Sequence, residues 1–553
     1  MAAIGKLGSP APVEFEAACD VAGGGVLAAI PALLAQGLLR RPQSYQLPQG
    51  FYSIDSIFLV LALMALARIR SLEQLRYQEP GEWGKLLGLD RIPEVRTLRE
   101  KVDLLSSDPG RAREWNAQLA QEWMAPQDSA GLYFYCDGHV RVYHGEKTEL
   151  PRHYVSRERL CLRATVDYWV NAMDGQPFLY INKEVDPGLI ATLKNDVVPW
   201  LEQLAPKTAE QQQRLAEDPR AHWFTLVFDR EGYSPESFAE LWAKRIAILT
   251  DHKFPKDDWP AGEFASHQVE LAGGAAVTMK LAERGTRLSN NFWLREIRKL
   301  TASGHQTAML STNFSAPMPV LAASMFARWC QENFFRYMRE HYGLDSLVEY
   351  GTELIPDLTP VINPNWRRLD SQVRSKTGQR QRLHAKFGAM ALSEDVSEEE
   401  MQTYQRRKGE LQEQIQHLDV EIDGLKQQRK QTDHHIAVAD LPEEERFTRL
   451  RTERKHFLDT IKMIAYRAET SLVSLLRENL ARSDDARTLI RQIFETDADL
   501  LPDATNKTLT VQMHHLTQSA HDQVLEKLCA ALNETQTVFP GTDLTLKFKI
   551  GSS

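Results

Sequence analysis

Cysteine is scarce in this 553-residue chain: there are five, at positions 19, 136, 161, 330 and 529. None forms a CxxC pair, which argues against a zinc ribbon, a thioredoxin-type redox motif or a disulfide scaffold. Long apolar runs are also missing. The longest, Ile57 to Ala67, falls well short of the roughly 20 residues needed to span a bilayer and reads as a buried helix. The first residues lack a basic segment leading into an apolar one, so a cytoplasmic protein with no membrane partner is expected, nucleoid-associated when bound to DNA. No internal repeat or low-complexity tract is present. Net positive charge is absent too: Lys and Arg number 66 against 75 Asp and Glu, a formal charge of -9. That excludes a protein that coats nucleic acid through its overall charge and leaves only local basic patches for phosphate contact. The clearest such patch runs from Trp366 to Lys386, with seven cations (Arg367, Arg368, Arg374, Lys376, Arg380, Arg382 and Lys386) against one acid, Asp370.

Hydrophobic residues make up 42% of the chain and charged residues 25%, the balance of a globular protein large enough for several structural units. Apolar spacing predicts helices from Val13 to Met124. Three short blocks there (Leu72–Leu75, Trp83–Leu89 and Pro93–Val102) are spaced like a helix-turn-helix, with Arg96 and Arg99 on the third as candidate DNA contacts. Small helical bundles show the same spacing. Buried strands are expected at Leu132–Asp137 and Trp223–Phe228, with further strands between them, a helix across Pro187–Leu204 and more strands from Phe264 to Leu310 before a long helix, Val320–His341. Tyr404, Leu411, Leu418 and Leu425 recur every seven residues, with Ile415 and Ile422 four after the first two leucines. That is a heptad seam, expected to form an antiparallel hairpin with the helical stripe after Pro442.

The expected class is therefore α/β, with a β-rich insertion. The expected divisions are an N-terminal helical domain (1–125), a catalytic core in two parts (126–240 and 306–390) around the insertion (241–305), a coiled-coil hairpin (391–470) and a mixed C-terminal region (471–553).

Asp137 and Asp229 each end a strongly apolar strand, where a side chain can leave the core at the mouth of an open α/β sheet. Either alone is equally a turn cap. Met325, Arg328, Glu332 and Arg339, at offsets of 0, 3, 7 and 14, fall within about 60° on one helix face. An acid flanked by two arginines on one stripe suits a cation and phosphates together, although an intrahelical ion-pair ladder has the same pattern. Asp20-Val-Ala-Gly-Gly-Gly25 lacks the Gly-Lys-Ser/Thr of a phosphate loop and reads as a helix start. The pairs His434-His435 and His514-His515 show no further ligands at metal-binding spacing.

With these residues in place the sequence resembles insertion-sequence DDE transposases, the cut-and-paste group with a ribonuclease-H-like core and a β-strand insertion before the third acid. The resemblance rests on Tyr135-Cys136-Asp137-Gly138-His139, on Phe228-Asp229-Arg230-Glu231-Gly232 and on Arg328-Trp329-Cys330-Gln331-Glu332, and covers about residues 70 to 345. The family's third-acid signature, Tyr-x2-Arg-x3-Glu-x6-Lys, is matched in spacing by Met325, Arg328, Glu332 and Arg339. Arginine for lysine keeps a phosphate-binding cation, whereas Met325 lacks the tyrosine hydroxyl.

The resemblance implies that Asp137, Asp229 and Glu332 are catalytic and hold two Mg²⁺ or Mn²⁺ ions, hard cations that prefer oxygen ligands. It further implies contacts to DNA through Arg328, Arg339 and Arg230, stacking of Trp293 on an unpaired base, and a homo-oligomer assembled on transposon ends and target DNA. Two other classes are compatible with the sequence: a catalytically silent DNA-binding relative, and a scaffold built on the coiled coil.

Overall fold

The computed structural model describes residues 10–126, 132–145, 148–155, 158–183, 185–271, 274–346, 348, 351–390, 397–480 and 482–551. The chain is mixed α/β and divides into two compact units. The first comprises 1–143, 153–351 and 450–553, and the second 144–152 and 352–449.

In the first unit the apolar segment near residue 60 forms the helix Ile54–Leu66, started by the Ser53 hydroxyl accepting from Ser56 N–H and buried at every position from Ser56 onward. It packs on the helix Glu453–Arg477, in which Phe457, Met463, Ile464, Ala465 and Ala468 are fully buried on several faces. Ile54–Leu66, apolar around its circumference, is a core helix, whereas Glu453–Arg477 also buries the charged Lys455, Asp459 and Glu469.

The two ends of the chain share a sheet. Ala18–Val21 pairs with Ala498–Asp503, which pairs with Thr508–Met513, and that strand runs parallel to Thr545–Ile550. The Gly-rich segment makes the connection, as a 3-10 helix (Gly24–Ala29) leading into the helix Ile30–Ala35. Gly23 has φ +63°, and a Cβ on Gly25 would lie 1.9 Å from the Ile493 carbonyl oxygen, so only glycine fits that approach. The expected separation of 1–125 from 471–553 is thus corrected: a four-residue strand, too short to show in apolar periodicity, ties them into one unit.

Among the described residues the largest sheet has ten strands. Five of them are β1 (Tyr133–Val142), β2 (Leu160–Asn171), β3 (Pro177–Lys183), β4 (Thr225–Phe228) and β5 (Ala247–Asp251), in the spatial order β3-β2-β1-β4-β5. The first three are antiparallel, while β1, β4 and β5 run parallel. Antiparallel strands β6 (Ala265–Glu270), β7 (Ala276–Arg287), β8 (Trp293–Leu300) and β9 (Gln306–Ser311) continue the sheet, with β9 against β5. Strand β5 lies within the expected 241–305 insertion, yet it belongs to the central sheet, and the added strands begin only after it.

The second unit contains the helices Pro364–Ala389 and Glu398–Gln431. Lys376 pairs with Glu421 (2.8 Å), Arg380 with Asp419 (2.6 Å) and Arg429 with Asp370 (2.5 Å), a descending register that makes the two antiparallel. The heptad positions Ile415, Leu418 and Ile422 are buried. Strands Pro360–Ile362 and His435–Ala437 pair at the base. The predicted partner of the heptad helix is therefore corrected. A seam shows that a helix needs a partner, not which one. Here it is the upstream helix 364–389, while the stripe after Pro442 becomes the core helix of the first unit.

Candidate active site

The parallel strands fix the placement of the acids. Tyr135 lies opposite Val227 and Phe228 opposite Thr250, offsets of 227 − 135 = 92 and 250 − 228 = 22. Extended by one or two residues, those offsets put Asp137, Asp229 and Asp251 level on three neighbouring strands, which in a sheet lie about 4.8 Å apart. Side chains alternate between faces along a strand, so these acids follow Tyr135, Val227 and Leu249 onto one face. That face is packed by Leu321, Met325 and Ala327. Met325, the departure from the family's tyrosine, is thus a core residue beneath the acids.

The helix Arg328–Tyr342 starts where this packing ends. Gln331 sets its position: the buried side-chain amide donates to Tyr135 O (3.0 Å), Trp169 O (3.2 Å) and Asn171 Oδ1 (3.0 Å), anchoring the helix to β1 two residues before Asp137. Gly175 lies below the same turn, where a Cβ would come within 2.8 Å of the Cys330 carbonyl oxygen.

Charge is concentrated around Asp137. Burial and the Asp229 carboxylate push its pKa up to about 7, against the opposing pull of Arg328 and of the Gly138 N–H that it accepts at 2.8 Å. The Asp251 carboxyl is also raised, by burial and by Asp229, and held back by Arg328 and Arg230. Glu231 is raised by burial, Asp229 and Asp186. Asp229 itself accepts from Glu231 N–H at 2.9 Å, and its carbonyl accepts from the Thr250 hydroxyl. Several carboxylates share one mouth, and one guanidinium, Arg328, acts on two of them.

The other predicted residues are placed as follows. Glu332 is half-buried one turn beyond Arg328, in a 3.1 Å ion pair with it. Arg339 lies two turns further, and its buried Nε has no hydrogen-bond partner among the described residues. Arg230 is exposed on the turn after Asp229. Trp293, half-exposed on β8, stacks on Phe314 at 5.5 Å. Arg96 and Arg99 lie on the helix Val95–Leu105, paired with Glu100 (3.1 Å) and Glu73 respectively.

Sequence reasoning missed Asp251, Glu231 and Gln331. For Asp251 the signal was available: Ile246 to Thr250 is an apolar, β-branched run that ends in an acid, as at Asp229. Gln331 left no signal, because its role depends on carbonyls distant in sequence.

Oxygen-only donors of this kind suit hard divalent ions. Among the described residues, the His/Cys/Asp/Glu group whose ligand atoms all lie within 4.8 Å of one another is a different one, Asp20, Asp499 and His514 on the terminal sheet. No helix of the described residues is long and apolar enough to cross a membrane.

Asp229 follows the last residue of β4 and Asp251 ends β5, whereas the expected end of a strand at Asp137 is corrected: β1 runs on through it to Val142, and Asp137 is level with the other two only where β1 outruns β4. In an open α/β sheet, the region beyond the carboxyl ends of the parallel strands is where ligands bind. The family model for transposase proteins matches residues 1–552, and the chain belongs to that family. No curated protein matches the sequence. A cryo-EM structure of the piggyBac transposase synaptic complex with hairpin DNA is similar at 11% identity, covering 87% of this chain and 84% of that one, with a TM-score of 0.28.

Proposed function

We propose that this transposase is a DDE enzyme of the insertion-sequence type, cleaving transposon ends and joining them to target DNA with Asp137, Asp229 and Glu332. The observation that carries the reading is the level placement of Asp137 and Asp229 beside the helix that bears Arg328 and Glu332. The strand order β3-β2-β1-β4-β5, three antiparallel then parallel, supports a ribonuclease-H-like core.

Asp137, Asp229 and Glu332 would hold two Mg²⁺ or Mn²⁺ ions, which would supply a more acidic nucleophile and charge neutralisation at the leaving oxygen. The donor set fits such ions in chemistry: it is all carboxylate oxygen, and burial together with the Asp229 carboxylate raises the proton affinity of Asp137 despite Arg328, so a cation there would offset repulsion that the protein itself leaves in place. Arg328 and Arg339, on one stripe, neutralise phosphate oxygens of the bound strand. Gln331 holds that stripe in place against β1. Arg230 meets the backbone beside the scissile phosphate, and Trp293 offers its open face to an unpaired base. Arg96 and Arg99 contact end DNA from the helix Val95–Leu105. Joining two ends requires two active sites, so the enzyme works as a homo-oligomer on DNA.

The test is a supercoiled plasmid carrying the element's ends, incubated with the protein and Mg²⁺. Nicking at the ends that is lost in Asp137→Asn, with end binding retained, is expected. Equal nicking by the variant refutes the reading.

A further inference from the structure

The basic segment from Arg367 to Lys386 is helical, and its cations are divided between two faces. At about 100° per residue, Arg374, Arg367, Arg382, Arg368 and Lys386 fall in an arc of about 120°, whereas Lys376 and Arg380 lie on the opposite side. The opposite side is the packed one, where Lys376 and Arg380 meet Glu421 and Asp419 of the helix 398–431. On the open side Arg368, Arg374, Arg382 and Lys386 are exposed. The helix's single acid, Asp370, is shared by Arg374 (2.8 Å) and Arg429 (2.5 Å), so that group keeps a net positive charge.

The residues between those cations are small: Ser371, Ser375, Gly378 and Ala385 occupy the same arc. A Cβ added at Gly378 would meet nothing within 4 Å. The result is an open lane flanked by long cationic side chains. From Arg367 to Lys386 it runs 19 residues, about 28 Å of helix, a length comparable to eight base pairs of duplex.

We infer that this face of the helix 364–389 is a docking surface for the sugar-phosphate backbone of duplex DNA, separate from the catalytic carboxylates and independent of base sequence. Charge complementarity selects a polyanion. A membrane surface fits poorly, since an interfacial helix must bury an apolar face and here the opposite face is packed on its neighbour. Small residues between the cations let the helix backbone approach the phosphates closely, and guanidinium forks match phosphate oxygens. Contacts of this sort fix position along DNA without reading it.

The inference rests on the reading of the chain as a DNA-acting enzyme, and its test separates the two. Full-length protein is titrated onto a fluorescent 30-base-pair duplex of arbitrary sequence over a KCl series, for the wild type and for the fourfold variant Arg368→Gln, Arg374→Gln, Arg382→Gln and Lys386→Gln. Glutamine keeps helix propensity, and circular dichroism checks the fold. Four lost phosphate contacts make the slope of log K against log [KCl] shallower by about 3 to 4, and binding at the lowest salt at least about tenfold weaker. Equal slopes for the two proteins overturn the inference, as does a loss confined to binding of phosphatidylserine vesicles. Plasmid nicking in the same preparations reports on the catalytic reading: absent nicking with the slope change present removes that reading and leaves this one, and intact nicking with equal slopes does the reverse.

Discussion

Arg328 and Glu332 form a 3.1 Å ion pair across one turn of the helix that overhangs the acids, and the same guanidinium lowers the proton affinity of Asp137 and Asp251. The pair is partly exposed, and such i,i+4 pairs contribute only about 0.3–0.5 kcal/mol. Arg328→Ala should therefore leave the melting temperature within about 2 °C of wild type. Cleavage should fall at least about tenfold, and the salt slope of end binding should drop by about 1, because one phosphate contact is lost. Calorimetry and end-binding titrations check both. A large loss of stability with unchanged cleavage returns Arg328 to a purely structural role.

Asp251 lies level with Asp229 on the strand away from Asp137, so two acids, Asp251 and Glu332, compete for the third catalytic role. On the proposed reading Glu332→Gln removes an ion ligand and lowers cleavage on the order of 1000-fold, as Asp137→Asn and Asp229→Asn do. Asp251→Asn should cost about tenfold or less, through the field at Asp229. Survival of cleavage in Glu332→Gln with its loss in Asp251→Asn would exchange the two assignments.

Without divalent ions, Asp137 titrates near pH 7 when folded but at about 3.9 when unfolded. The folded state then binds more protons between those values. The stability this group contributes is complete below about pH 4 and is lost as pH rises through 7. In EDTA the wild type should melt progressively lower from pH 5 to 8, and Asp137→Asn should flatten that trend. Mg²⁺ should raise the melting temperature of the wild type more at pH 8 than at pH 5, since protons compete with the ion, and should do so little in the variant.

Gln331→Leu keeps side-chain size but strands Tyr135 O, Trp169 O and Asn171 Oδ1 without their donor. Each buried unsatisfied group costs about 1–3 kcal/mol, so a clear fall in melting temperature is expected. Cleavage should drop with KM for DNA nearly unchanged, because helix placement changes while the phosphate-binding side chains remain. An unaltered kcat would show that Gln331 serves stability alone.

Much of the site was legible because it depends on local chemistry. The apolar runs leading into Asp137 and Asp229 announce themselves, although β1 continues past Asp137 to Val142, and the spacing of four and seven between Arg328, Glu332 and Arg339 fixes one helix face, with Met325 on the helix before it. What escaped depends on contacts between distant residues. Strand Ala18–Val21 has four residues and is recognisable only through its pairing with Ala498–Asp503. Strand β5 was hidden by its position just before the added strands. The heptad at Ile415 and Leu418 showed a seam without showing its partner. Met325 reads as a lost hydroxyl in sequence and as core packing in space.

The corrected partner of the heptad helix changes the design of a deletion. Removing 401–466 takes out the first half of the helix Glu453–Arg477, whose Phe457 and Ile461 are buried in the first unit, and should give insoluble protein. Removing 364–431 instead cuts at a natural closure. Ile362 pairs with His435, and Asn363 N–H donates to His434 O at 2.9 Å, so the two cut ends already lie side by side and a turn of a few Gly and Ser residues bridges them. This deletion should leave a folded first unit that still nicks single ends, since Asp137, Asp229 and Glu332 all lie within it. Joining of paired ends should fall further than nicking if the hairpin, with the exposed cations of 364–389, takes part in holding two ends together. Nicking and paired-end joining measured in one reaction decide the matter: equal retention of both activities shows that the hairpin has no part in assembly.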